Sequence, residues 1–95
     1  MRNLQETKLQ GWRALAVEED RTEHLIYLGR SSTQVRAGYA AAYWEVLDEE
    51  ERARIKHISL QRWTGAADEG RWVQQTILSI PAAPKTLDRI LAPTA

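Results

Sequence analysis

The residues predict an α+β domain of the form ββαββ: a four-stranded, mostly antiparallel sheet in strand order 2-1-3-4, with one main helix packed on one face. Two observations lead there. Four short runs carry the alternating or continuous apolar pattern of strands. Between the second and third lies a longer run whose apolar residues recur at helical spacing. Two antiparallel hairpins joined by a helix satisfy both. The order 2-1-3-4 follows because it puts the first strand, apolar on both sides, in the interior.

The first strand is predicted over Leu9–Val17, with Leu9, Arg13, Leu15 and Val17 on one side and Trp12, Ala14 and Ala16 on the other. Such a strand suits a position covered twice. The charged run Glu18–Thr22 reads as a hairpin turn. Glu23–Leu28 is the return strand, with Leu25 and Tyr27 alternating against His24, Ile26 and Leu28. Gly29 ends it.

Ser31, Ser32 and Thr33 are competent helix caps, and Gln34 stands three residues after Ser31, the spacing of a capping box. The helix is predicted from Thr33 to Leu47, with Val35, Tyr39, Ala42, Tyr43 and Val46 as the stripe that packs on the sheet. Asp48-Glu49-Glu50-Glu51 suits a helix start better than a helix end, because the macrodipole opposes carboxylates at a C-terminus. Asp48 and Glu51 again have capping spacing, so the chain kinks or restarts a helix near Asp48, with Arg52 or Arg54 offsetting charge.

Arg54–Trp63 is the third strand, with Ile58 and Leu60 facing the core, and Thr64–Gly70 is a loop. Arg71–Ile80 is the fourth strand, stopped by Pro81. Residues 1–81 therefore form a single domain and 82–95 a tail, in which Leu87, Ile90 and Leu91 have the spacing of one amphipathic turn.

A chain of 95 residues supports one core with little room for an enclosed pocket. Thirteen basic and thirteen acidic side chains cancel, and they cancel locally: five of each in residues 1–30, five in 31–64 and three in 65–95. That balance argues against a nucleic-acid or anionic-membrane surface, both of which call for concentrated Lys and Arg. With no cysteine, disulfides and thiolate zinc sites are excluded. Met1–Glu6 shows no signal-type apolar run, and no stretch approaches a bilayer-spanning length, so the expectation is a soluble, cytoplasmic protein.

Little in the chain points to catalysis or a cofactor. His24 and His57 lack ligand spacing, so no metal site is expected. The serines after Gly29 lack a Gly-x-Ser-x-Gly elbow, and carboxylates 48–51 are adjacent rather than held across a cleft. Arg30, Ser31, Ser32, Thr33 and Arg36 form a candidate anion-binding helix start. Simple capping explains the same hydroxyls.

Four tryptophans and no phenylalanine are the least ordinary feature. Trp12 is assigned to the core. Trp63 and Trp72 flank the loop symmetrically and form a cross-strand pair if residue 65 opposes 70, with Gln61 opposite Gln74 and Ser59 opposite Thr76. This pair serves either as a hairpin staple or as a contact platform. Trp44 lies on the far side of the helix with Ala37, Ala40 and Ala41, a second apolar stripe that calls for another cover. That cover is a second subunit, another protein, or the Leu87–Leu91 segment.

The leading expectation is a non-enzymatic interaction module, self-associating or binding a protein, through the Trp44 stripe or the Trp63/Trp72 sheet end. The alternative is nucleic-acid binding by exposed tryptophans together with Arg13, Arg36, Arg54, Arg62 and Arg71. An enzyme or small-ligand binder at Arg30–Thr33 ranks below both.

Overall fold

The computed structural model describes residues 11–84. Strands β1 (Trp12–Glu18) and β2 (Glu23–Gly29) form the first hairpin, followed by α1 (Ser32–Val46), a short α2 (Glu49–Arg54), and the second hairpin, β3 (Ile55–Thr64) and β4 (Arg71–Leu78). All neighbouring strands are antiparallel, in the order β2-β1-β3-β4. The architecture is the one the apolar pattern predicts. The proposed helical turn at Leu87–Leu91, and Leu9 at the start of the first strand, lie outside the described residues.

Local chemistry sets the helix boundaries. Ser31 caps α1, its Oγ accepting the Gln34 backbone N–H at 3.1 Å. The Gln34 side chain, however, accepts from the N–H of Arg30 rather than of Ser31, so the box expected there is closed one residue earlier. At Asp48 the box is complete: Asp48 Oδ1 accepts the Glu51 N–H at 2.8 Å and Glu51 Oε1 accepts the Asp48 N–H at 2.9 Å. The predicted helix restart is therefore present. α2 runs directly into β3 at Ile55, which moves Arg54 from the expected strand into the helix.

The core lies between α1 and one face of the sheet. Ala14, Ala16, Ile26, Val35, Tyr43, Leu47, Ile58 and Leu60 are all buried there. Complete burial of a side chain such as Ile58 stabilises the fold by roughly 1.5–3 kcal/mol. The helix stripe contains one error: Val46 is 50% exposed, whereas Leu47 is buried. α1 stops at Val46 and the extended backbone of Leu47 turns its side chain inward instead.

Three bulges alter which residues share a face. Ile26 has no partner in the β1–β2 register, so Ile26 and Tyr27 both belong to the helix side. Tyr27 packs so closely on α1 that a Cβ at Gly38 would lie 2.5 Å from its ring. Lys56 is skipped between β1 and β3, returning Ile55 to the core side, and Gln75 is skipped between β3 and β4. The fourth strand also ends early, at Leu78: Ser79 leaves the sheet, its carbonyl accepting the Tyr39 hydroxyl at 2.8 Å.

Among the described residues, the sheet is covered on one face only. β1 was expected to be covered twice. Ala14 and Ala16 do lie in the core with α1, but Leu15 points to the opposite face, which no element among the described residues overlies. Leu15 is nonetheless only 3% exposed. It is flanked by Leu25 and Ser59 on the adjacent strands and by Arg13 and Val17 on its own.

Candidate functional site

Residues directly opposite one another on adjacent antiparallel strands share a face. The register therefore lays out the open face row by row. One row runs Leu28–Arg13–Gln61–Gln74 from β2 to β4. The next runs Leu25–Leu15–Ser59–Ile77. Glu23, Val17 and His57 form a third, and Trp63 and Trp72 close the opposite end.

At that end the two indoles meet edge to face, ring centroids 5.4 Å apart, the arrangement favoured by aromatic quadrupoles. The Trp63 N–H donates to the Ala66 carbonyl at 3.0 Å. The loop glycine makes room for this: a Cβ at Gly70 would stand 2.6 Å from the Trp63 Nε1. The Arg13 guanidinium lies 4.2 Å from the Trp72 ring centroid and donates through Nε to Gln61 Oε1 at 2.8 Å. Partial burial pulls the pKa of Arg13 below its ordinary value, with Glu23 acting in the opposite direction.

The polar side chains in the middle of the face hydrogen-bond to one another. Gln61 donates to Ser59 Oγ at 3.2 Å, and Ser59 donates to Gln74 Oε1 at 2.8 Å. The pairing of Trp63 with Trp72 and Gln61 with Gln74 matches the register anticipated from the loop. Ser59 instead opposes Ile77, because the extra residue at Gln75 shifts the ladder by one beyond that point. The bulge thus brings an apolar residue onto the open face. Leu25 at 45% and Ile77 at 50% are among the most exposed large apolar side chains described.

The other candidate surface is already engaged at Trp44. Trp44 is half-buried; its indole N–H donates to the Ala82 carbonyl at 3.0 Å, its ring meets Tyr43 edge-on, and the Arg52 guanidinium lies 4.3 Å from its centroid. Ser79 and Ala82 tie the chain after β4 to α1 at Tyr39 and Trp44. The chain itself thus reaches Trp44, through Ala82 rather than through the Leu87–Leu91 segment. Ala37 and Ala41 remain exposed and Ala40 half-buried.

Arg30, Ser31, Thr33 and Arg36 are exposed at the start of α1, with Ser32 half-buried. The Ser31 hydroxyl and the Arg30 N–H are occupied by capping bonds to Gln34. Of the arginines named for nucleic-acid contact, only Arg13 belongs to the open face. Arg62 lies 5.4 Å from the Trp12 ring centroid on the helix side, where Trp12 packs against the edge of the core. Arg54 Nε contacts Glu18 at 3.0 Å.

Sequence reasoning missed the cluster around Glu18. This buried carboxylate takes His24 Nε2 at 2.7 Å on one oxygen and Arg54 on the other, while His24 Nδ1 stands 3.9 Å from Glu51. The hydrogen bond from His24, aided by Arg54, holds the Glu18 carboxyl below its ordinary pKa against the opposing effect of burial. The only sequence signal was a Glu and a His six residues apart across a turn. The cluster borders a shallow cleft of about 510 Å³ lined by Glu19, Asp20 and Lys56, among others. Both oxygens of Glu18 are engaged, so the group ties α2 to the first hairpin. Among the described residues no group of three His, Asp or Glu side chains is arranged to hold a metal, and no helix is long and apolar enough to cross a membrane.

No family model, curated protein or solved structure matches the chain.

Proposed function

We propose that the protein is a small, cytoplasmic, non-enzymatic interaction module whose contact surface is the open face of the sheet. The observation that carries this reading is a sheet face that no described element covers. It exposes Leu25 and Ile77 beside the half-buried Trp63/Trp72 pair, yet its central polar groups are already hydrogen-bonded to one another. Desolvating polar groups without new partners is what usually makes burial of a mixed surface costly. The bonds among Arg13, Gln61, Ser59 and Gln74 persist when the face is covered, which reduces that cost, while the Arg13 Nη and Gln74 Nε2 groups call for acceptors on the covering surface. Aromatic and arginine side chains are also those enriched at the centres of protein contacts.

Between the two surfaces anticipated, the sheet end is favoured over the Trp44 stripe, since the Trp44 indole is already bonded to the Ala82 carbonyl. A nucleic-acid contact is less well supported. A strand of phosphates needs several free cations, and among the described residues the arginine of the open face is Arg13, already engaged with Trp72 and Gln61.

The test is site-specific cross-linking in cells that make the chain. A photoreactive phenylalanine analogue in place of Ile77 is expected to give a discrete protein adduct that disappears when Leu25→Lys is added on the same face. The same analogue in place of Arg36, on the helix, is expected to give none. Equal yields at the two positions, or no adduct at Ile77, would overturn the reading.

A further inference from the structure

Resting on that reading, we infer that the occupant of the open face is a second copy of this chain, packed sheet to sheet about a two-fold axis that runs along the strands. The two exposed apolar side chains of the face are placed for it. Leu25 on β2 and Ile77 on β4 occupy opposite ends of the same row, with the shielded Leu15 and Ser59 between them. Three strand spacings separate the two ends, about 14 Å. Rotation about an axis midway between β1 and β3 carries β2 onto the partner's β4. Leu25 then meets the Ile77 position of the second copy, and Ile77 meets its Leu25 position. One contact is thereby made twice, the defining property of an isologous interface. The same rotation sets Arg13 over Gln61 and Leu15 over Ser59, so the like charges of the two Arg13 side chains are not superposed.

Charge and chain path agree with this occupant. Among the described residues, the strand rows of this face carry one arginine and one glutamate, Arg13 and Glu23, within a chain of zero net charge, so two copies meet without bulk repulsion. The described residues that follow β4 lead away from the face: Ser79 and Ala82 are bonded to Tyr39 and Trp44 on the helix side.

The available area sets the strength. Four strands at about 4.8 Å spacing and seven residues at about 3.3 Å rise give a footprint of roughly 440 Å² in projection. Two copies together cover roughly 900 Å², just under the ~1,000 Å² of a firmly specific interface. The dimer is therefore weak, with a dissociation constant in roughly the micromolar to sub-millimolar range.

Sedimentation equilibrium of the purified full chain tests it. The apparent mass is expected to rise from monomer toward dimer as concentration passes through that range. Leu25→Lys alone and Ile77→Glu alone are each expected to weaken dimerisation at least about tenfold, because each substitution occurs twice per dimer. Mixing the two variants is expected to restore association, since one mixed contact becomes Lys against Glu and the other remains leucine against isoleucine. Both positions are exposed, so thermal unfolding of each variant is expected to stay close to that of the parent. Monomer at every concentration would overturn the second copy as occupant. A dimer indifferent to both substitutions, or variants that fail to complement, would overturn the two-fold arrangement. If the cross-linked adduct at position 77 has a mass other than twice the chain, the interaction reading survives and the self-association does not.

Discussion

The two faces of this sheet are built from the same four strands and solve opposite problems. On the helix side, Ala14 and Ala16 let α1 approach β1 closely, and Ile58, Leu60, Val35 and Tyr43 fill the layer between. On the open side, Leu15 and Ser59 are almost as well hidden, although no described element lies over them. An antiparallel sheet with one solvated face normally shows polar residues there. This one shows a polar network bounded by two indoles at one end and by leucine and isoleucine at the edges. The contrast separates what holds the fold together from what is left over for a partner.

The largest effect belongs to the covered face. Ile58→Ala is expected to cost about 2–5 kcal/mol, the loss for a completely buried aliphatic side chain, read as a lower urea midpoint with unchanged slope. A loss below 1 kcal/mol would mean that the layer under α1 is not the main source of stability. Next comes Trp44→Ser, which removes the bond to Ala82 and the packing on Tyr43 and Arg52. About 1–2 kcal/mol is expected, less than for a fully buried tryptophan, with no change in sedimentation. A change in association without loss of stability would return the contact surface to the helix.

On the open face the energies are smaller. A double-mutant cycle on Trp63 and Trp72 is expected to show a coupling of about 0.5–1 kcal/mol. Zero coupling in the folded monomer would mean that the pair serves the contact alone. The smallest effect is confined to acid. Because the Glu18 carboxyl is held below its unfolded value, the stability it contributes is present above the unfolded pKa of about 4.5 and is lost as pH falls through the lower, folded pKa. Glu18→Gln is expected to flatten that acid limb while leaving the pH dependence above neutrality unchanged. An unaltered acid limb would show that the cluster with His24 and Arg54 does not form in solution.

What could be read from the residues was what local chemistry decides. Ser31, Asp48 and Glu51 marked helix starts because capping is settled within a few residues. The strand order followed from the two-sided apolar character of β1. What was missed depends on partners distant in the chain. A bulge is chosen by the register across two strands, so Ile26, Lys56 and Gln75 gave no sign of shifting Tyr27, Ile55 and Ile77 to new faces. Ala82 reaches Trp44 through a backbone carbonyl, a group every residue has, so the apolar pattern offers Leu87–Leu91 as one of three covers and gives no sign of Ala82. Glu18 looked like a turn residue, and only the docking of α2 shows it as a buried acceptor. The Trp63/Trp72 pair was accessible because symmetry about a short loop fixes its register. The open face behind it emerged only with the fold.

The most direct check is the exposure of individual methyl groups to a soluble paramagnetic agent, measured by NMR on dilute protein. The account predicts strong relaxation at Leu25 and Ile77, falling as the protein is concentrated, and negligible relaxation at Ile58 throughout. Equal protection of all three at high dilution would mean that the chain covers its own second sheet face, leaving no surface for a partner.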